Sequence, residues 1–357
     1  MSHSTLELSE LHSRIGQLFM AGMPGTEMDA TTECLISEYG LGGVILFKRN
    51  IEDPLQLARL CNRLQKTAMK KRGLPLFLAI DQEGGRVARL SEPFTRFPGN
   101  ASIGESADPL EEAREFAEKT AQEMRLVGLN MDLAPVVDVA RDLVEAHLEG
   151  RIFSRDPEMV ARLGAVVVNG LQDKGVMAVA KHFPGLGAAG LDPHHRLPSI
   201  NIEEKELTKT DLRPFAAAAA ADVSGIMTSH AVYPALDPGV PATMSHRIIT
   251  GILRDELGYQ GLVISDDLEM GAIAGDRGIS EAALAAFMAG ADILLICKDQ
   301  NKVLEAMHAL RDAVLRDERL VSRVNRSVAR VEGAKARLME STIFASIEDV
   351  SEYFGMA

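Results

Sequence analysis

The sequence predicts an α/β chain wound into an eight-stranded (β/α)₈ barrel of the TIM type, in a single domain. Three observations carry the prediction. Eight short apolar runs alternate with eight longer amphipathic segments. Polar residues able to do chemistry stand at the ends of four of those runs, where barrels of this kind place their sites. The glycine patterns of nucleotide folds, GxGxxG after a strand or the Walker lysine motif, are missing from the sequence. A doubly wound sheet is the main rival, and periodicity alone does not separate the two.

The apolar runs, read as strands, are 17–22, 43–47, 76–80, 131–137, 177–181, 225–229, 262–265 and 292–296. Each is a few residues long, the length of a buried parallel strand. The segments between and after them read as helices over 26–39, 54–70, 109–127, 157–174, 203–221, 246–257, 280–289 and 302–316. Several carry their own punctuation: Gly40 and Gly128 as stops, and Asp156-Pro157 as a start. From about residue 319 a further helix and a tail are expected. With no Pro/Ser-rich linker to divide the chain, 1–341 is assigned to the catalytic barrel and 342–357 to a C-terminal tail.

Over 357 residues the chain is 46% hydrophobic and 25% charged, so a large core is available. A formal net charge of −13 argues against a nucleic-acid partner, which needs a basic face. A local cluster such as Arg86, Arg89, Arg151 and Lys181 can still receive an anionic small substrate. Three widely spaced cysteines, Cys34, Cys61 and Cys297, have no metal-ligand spacing and read as reduced thiols. The polar, acidic start lacks the pattern of a signal peptide, and no apolar run is long enough to span a membrane. The expectation is a cytoplasmic protein with no membrane insertion. The absence of Trp and the presence of only four Tyr favour a compact polar pocket over a long aromatic-lined glycan cleft. The expected partner is therefore a small soluble substrate, and the oligomeric state is not legible.

The richest stretch is Lys181-His182-Phe183-Pro184-Gly185-Leu186-Gly187 followed by Asp192-Pro193-His194. It gathers a cation, a carboxylate and an imidazole, and a carboxylate near an imidazole fixes its tautomer and stabilises its charged form. His194, flanked by Asp192 and His195, reads either as an acid/base group or as part of a solvated loop. Lys181-His182 either hydrogen-bonds substrate hydroxyls or anchors the turn. Asp81, in Asp81-Gln82-Glu83-Gly84-Gly85-Arg86, either grips a diol or pairs with an arginine. Asp266 follows Leu-Val-Ile-Ser at a strand end and reads as a nucleophile, a metal ligand or a helix cap, with Asp267 as the adjacent alternative. His182, Asp192, His194, His195, His230 and Asp266 together have zinc-binding chemistry. No metal is expected, since the first strand lacks the His-x-His that commonly opens barrel metal sites, and no cofactor is expected.

These motifs together resemble bacterial β-N-acetylglucosaminidases of glycoside hydrolase family three. The resemblance runs from Gly42-Gly43-Val44-Ile45-Leu46-Phe47 to Ala291-Asp292-Ile293-Leu294-Leu295. It includes Asp81-Gln82-Glu83-Gly84-Gly85-Arg86-Val87, Phe94-Thr95-Arg96-Phe97-Pro98, Ala134-Pro135-Val136-Val137-Asp138, Lys181-His182-Phe183-Pro184-Gly185 and Ile264-Ser265-Asp266-Asp267-Leu268. It implies a (β/α)₈ barrel without the second domain of many family-three β-glucosidases. It implies Asp266 as nucleophile, Asp192 and His194 as the acid/base dyad, and Asp81, Arg89, Arg151, Lys181 and His182 as sugar-binding positions. The implied reaction is a retaining, two-step removal of terminal β-linked N-acetylglucosamine, with His194 first protonating the leaving oxygen and then activating water. For a cytoplasmic member the implied substrates are peptidoglycan (anhydro)muropeptide fragments met during cell-wall recycling.

The chain departs from that pattern at Leu186, where His is frequent, at Ala188-Ala189, and at Pro193, where Ser is usual inside the dyad. Proline fixes φ and removes a donor, which stiffens the loop. The alternatives are a β-glucosidase or an N-acetylglucosaminide phosphorylase on the same scaffold. From other classes come a metal-dependent hydrolase and a non-catalytic sugar-binding protein. An imidazole base does not repel an anionic acceptor as a second carboxylate would, which is why phosphate enters as a possible substitute for water.

Overall fold

The structure is a computed structural model and describes residues 8–141, 147–193, 196–275, 277–340 and 343–356. Eight parallel strands form one sheet: β1 (Phe19–Gly22), β2 (Gly43–Leu46), β3 (Phe77–Ile80), β4 (Met131–Asp132), β5 (Met177–Phe183), β6 (Gly225–Thr228), β7 (Leu262–Ile264) and β8 (Leu294–Ile296). Their order is β8-β1-β2-β3-β4-β5-β6-β7. The remaining seam is joined by a parallel bridge between Ile264 and Ile293. Asp292 N donates to Val263 O at 2.7 Å and Ser265 N to Ile293 O at 2.9 Å across it. The expected (β/α)₈ barrel is therefore closed, and the doubly wound alternative is ruled out.

Strand residues are buried on both faces, because side chains fill the barrel and helices cover it. That double burial explains why the strands read as unbroken apolar runs. β4 is the exception to the expected lengths: the run 131–137 yields a two-residue strand. Pro135 has no N–H to give the ladder, and the chain rejoins it through Val137 N to Lys181 O at 2.9 Å. β5 runs two residues past the expected end, so His182, expected just after the strand, lies inside it with Lys181.

Most helices stand where the amphipathic segments put them, among them Pro54–Arg72, Pro109–Leu126 and Pro157–Asp173. Each starts with an Asp cap followed by proline at the first helical position. The expected helix 203–221 is split into Glu204–Lys209 and Leu212–Ala220. Pro214 accounts for the break, since a continuous helix would drive its ring into the carbonyl of Thr210. The first expected helix shortens to Ala30–Ser37, with Asp29 as its cap.

A helix at Leu8–Gly16, not anticipated, packs against Gln300–Arg316 and Arg319–Met339. The segment assigned as a tail carries a helix, Ile347–Phe354, capped by Ser346. It lies on the Pro54–Arg72 helix, held by the Asn62 amide pairing with both backbone groups of Ala345 (2.9 and 2.8 Å) and by Phe354 against Phe94. Among the described residues no helix is long and apolar enough to cross a membrane.

Candidate active site

A pocket of about 940 Å³ opens at the C-terminal ends of the strands. Asp81 enters it from the end of β3, Lys181 and His182 from β5, and Asp266 and Asp267 from the residues after β7. Loops add Arg86, Arg89, His147, Arg151 and Asp192. Every described residue expected in the site therefore lines one cavity. His194, with His195, lies outside the described residues, so only Asp192 represents the dyad here.

The floor of the pocket is an ion network built on a short hairpin. Gly84 and Gly85, both at positive φ, turn the chain between Gln82–Gly84 and Val87–Ala88. The Gln82 side-chain oxygen accepts from Arg89 N at 2.9 Å and Leu90 N at 3.0 Å, which swings Arg89 back over Asp81. Arg89 then meets Asp81 at 3.1 Å. Lys181 Nζ stands between two carboxylates, 2.8 Å from Asp81 and 2.7 Å from Glu83. Arg151 grips Glu83 with two parallel bonds of 2.7 and 2.8 Å.

These pairings set the charges. Burial alone would raise the Asp81 carboxyl, but Lys181 and then Arg89 outweigh it and hold it well below the usual range. The same competition, with Lys181 and Arg151 as partners, leaves Glu83 at about 2. Burial would lower Lys181, yet Asp81 and Glu83 keep it above its ordinary value and cationic. Asp132 lies beneath, wholly buried, with one oxygen accepting from Gln82 N at 3.0 Å and the other without a hydrogen-bond partner. Burial drives its carboxyl well above the usual range, against the Gln82 N–H and the Lys181 charge that pull it down.

His182 is oriented by Asp138: its Nδ1 lies 2.8 Å from Oδ2, while Oδ1 accepts the backbone N–H groups of His182 and Leu186. Nδ1 carries the hydrogen of that contact, which turns Nε2 toward the pocket. The turn after β5 is pinned from below by Tyr233 O–H donating to Gly185 O at 2.9 Å. Leu186 is buried under this turn and lends the site only an apolar wall and its N–H.

The adjacent aspartates divide their tasks. Asp267 Oδ1 accepts from Glu269 N at 3.1 Å and Cys297 N at 3.2 Å, tying the loop after β7 to the end of β8. Burial, with the neighbouring Asp266 adding repulsion, pushes Asp267 up to about 6. Among the described residues Asp266 accepts only the N–H of Asp267. Of the zinc-capable set, His230 spends both ring nitrogens, on Thr243 Oγ1 (2.8 Å) and Asp267 O (2.9 Å). Among the described residues no group of three or more His, Cys, Asp or Glu side chains has the geometry for a metal ion.

Glu83, Asp132 and Asp138 are site residues that sequence reasoning did not single out. Glu83 and Asp138 sit inside motifs already picked out, and an acid two positions from Asp81 was the available signal for Glu83. Nothing local marks Asp132, whose role depends on three other strands.

Residues 10–334 match the family described as Glycosyl hydrolase family 3 N terminal domain. The chain is 37% identical over 335 residues to the beta-hexosaminidase A of Pseudoalteromonas piscicida, covering 88% of this chain and 56% of that protein. It is 38% identical over 298 residues to a beta-hexosaminidase of Nitrosomonas eutropha, covering 82% and 84% of the two. Among solved structures, a family 3 beta-N-acetylglucosaminidase from Paenibacillus sp. str. FPU-7 is similar with a TM-score of 0.90 and 40% identity, over 95% of this chain and 64% of that one. The chain spans little more than half of the Pseudoalteromonas protein and most of the Nitrosomonas one. A family match across nearly the whole barrel makes this chain a member of glycosyl hydrolase family 3.

Proposed function

We propose that the chain is a retaining exo-β-N-acetylhexosaminidase that removes terminal β-linked N-acetylglucosamine, working on small soluble muropeptide fragments in the cytoplasm. The observation that carries the reading is the rim pocket, where Asp266 faces the Asp81–Lys181–Glu83–Arg151 network. A carboxylate whose acceptor capacity, among the described residues, is spent only on the Asp267 N–H is available to attack, and fixed charges on the other strands can hold sugar hydroxyls. Beta-hexosaminidase is also the name carried by relatives of which this chain spans 84% and 85%.

In this reading Asp266 attacks the anomeric carbon and forms a glycosyl ester while His194 protonates the leaving oxygen. His194 then takes a proton from water, which breaks the ester and returns Asp266. Asp192 orients the imidazole and favours its charged form. Asp81, Arg89, Arg151, Lys181 and His182 bind the sugar. Pro193 O accepts from Ala272 N at 3.1 Å, which fastens the dyad loop to the segment following Asp266.

The test is initial rates on 4-nitrophenyl N-acetyl-β-glucosaminide and the matching β-glucoside, with a chelator present, followed by release of N-acetylglucosamine from a disaccharide–peptide. The expected result is a strong preference for the N-acetyl sugar, lost by orders of magnitude in Asp266→Asn. A preference for the glucoside, or full turnover in that variant, overturns the reading. His194→Ala should slow poor leaving groups far more than aryl glycosides, and equal losses would remove it from acid/base duty. Added phosphate, with the sugar phosphate assayed as product, separates the phosphorylase alternative.

A further inference from the structure

The end of the barrel opposite the candidate active site holds a second cavity, of about 590 Å³. Its walls come from the Arg247–Glu256 helix, from Gly290 just ahead of β8, and from the Arg319–Met339 helix. The last helix presents Arg319, Arg323, Arg326 and Arg330 at spacings of four, three and four residues, which is one helical face. Arg254 joins them from the facing helix.

Among the described residues, the acid on which these arginines converge is Asp292, fully buried behind the cavity wall. It is already saturated. Oδ2 accepts from Arg254 at 2.6 Å and from Val263 N at 3.1 Å, while Oδ1 accepts from the Ser327 hydroxyl. Arg330 also donates to Oδ1, at 3.4 Å, and Arg323 stands 3.6 Å from it. Asp317 is chelated by Arg319, and Asp255 is the one other acid in the wall. Five guanidiniums thus face three carboxylates, an excess of two positive charges on a chain whose overall charge is −13. Arg326 has no ion pair among the described residues.

A structural role explains part of this arrangement. Arg254 also holds the carbonyls of Tyr259 and Gly261, and Arg323 holds that of Ala291. It does not explain Arg326, which adds like charge beside an acid whose oxygens are taken up by Arg254, Val263 N, Ser327 and Arg330. Burial, with repulsion from Arg330, Arg254 and Arg326 against the attraction of Asp292, brings Arg323 down to about 10. Arg326, exposed and without an acid among the described residues, is open to an anion that would balance the cationic wall around it.

We propose that this cavity is a binding site for a phosphate-bearing small molecule, gripped by Arg326 and Arg330 with Arg254 and Arg323 behind them. A phosphate monoester or diphosphate supplies the missing charge, close to two units at neutral pH, and its oxygens match the guanidinium fork. The cavity volume is in the range of small-ligand sites. Asp292 bridges β7 and β8, so occupancy braces the seam whose far end carries Asp266.

The experiment is thermal unfolding of the full chain against increasing inorganic pyrophosphate, with ionic strength held constant by sodium chloride. The wild type should show a saturating rise in Tm with a sub-millimolar midpoint. Arg326→Ala, at an exposed position, and Arg326→Ala/Arg330→Gln should shift that midpoint at least tenfold while hydrolysing the aryl glycoside at the wild-type rate. A rise no larger than chloride alone produces, or one unchanged in both variants, overturns the proposal. The second outcome would place the anion elsewhere, in the cationic rim pocket among other sites.

Discussion

Lys181→Met tests whether the floor of the rim pocket is held by charge pairing. Lys181 is 3% exposed and bridges Asp81 and Glu83 at 2.8 and 2.7 Å, with those acids 15% and 1% exposed. Removing one member of a buried ion cluster costs about 3–5 kcal/mol, because the charges left behind stay desolvated. Glu83 keeps its two bonds to Arg151 and Asp81 keeps Arg89, which puts the expected loss at the lower end, about 3 kcal/mol.

The same reasoning fixes the pH dependence. In the wild type both acids are depressed, so their contribution is present above their ordinary values and is lost as pH falls toward about 2. Lys181 is raised, so its own contribution holds until pH climbs above its ordinary range. Without Lys181, burial raises both acids. The variant is then penalised most near neutrality and recovers as pH falls and they take up protons. Urea unfolding of wild type and variant, followed by far-UV circular dichroism because the chain has no Trp, should show the gap narrowing from about pH 7.5 to about pH 5. Adding Glu83→Gln to the variant should return part of the loss. A loss below about 1 kcal/mol, or a gap equal at the two pH values, would refute the account.

Asp267→Asn keeps an oxygen for the two backbone donors, so it should retain turnover within about tenfold on the general-acid–base scale, whereas Asp266→Asn should not; the reverse pattern in initial rates would exchange their roles. Because Asp267 is raised to about 6, its stability contribution falls as pH rises through that value, and the Asn variant should flatten this slope in unfolding curves. Gly185→Ala would place a Cβ 2.6 Å from that of Asp211 at a φ of +128°, so a loss of about 2–3 kcal/mol is expected, and a variant as stable as wild type would contradict it. Lys335, wholly buried and donating to Gln17 at 2.7 Å, is lowered by burial to about 7. The folded state therefore binds fewer protons than the unfolded one above that pH, and wild-type stability should rise from about pH 6 to pH 8.5. Lys335→Met should lack that rise, and an identical slope in both proteins would show the lysine to be charged.

Sequence alone determined the alternation of eight strands with helices, because a strand buried on both faces must be an unbroken apolar run and a helix covering it must be amphipathic, while the closing of that alternation into a barrel rests on the β7–β8 seam. It also placed Asp81, Lys181, His182 and Asp266 at strand ends, since such a run stops where polar chemistry begins. What it left undecided are matters of partnership. Lys181 could have held backbone carbonyls, substrate or acids, and only the juxtaposition of β3 with the β5 end shows it between Asp81 and Glu83. Asp266 and Asp267 are neighbours of identical chemistry, and the distinction lies in Cys297 N, thirty residues away in the chain, which occupies Asp267. Asp132 is an ordinary acid in the sequence, and burial near Asp81 and Glu83 is what raises its carboxyl above the usual range. The arginines of 319–330 look like a solvated helix face until Arg254 and Asp292 are brought against them. Local pattern reports how each residue meets solvent, while charge state and partner depend on distances between segments far apart in the chain, which tertiary packing alone decides.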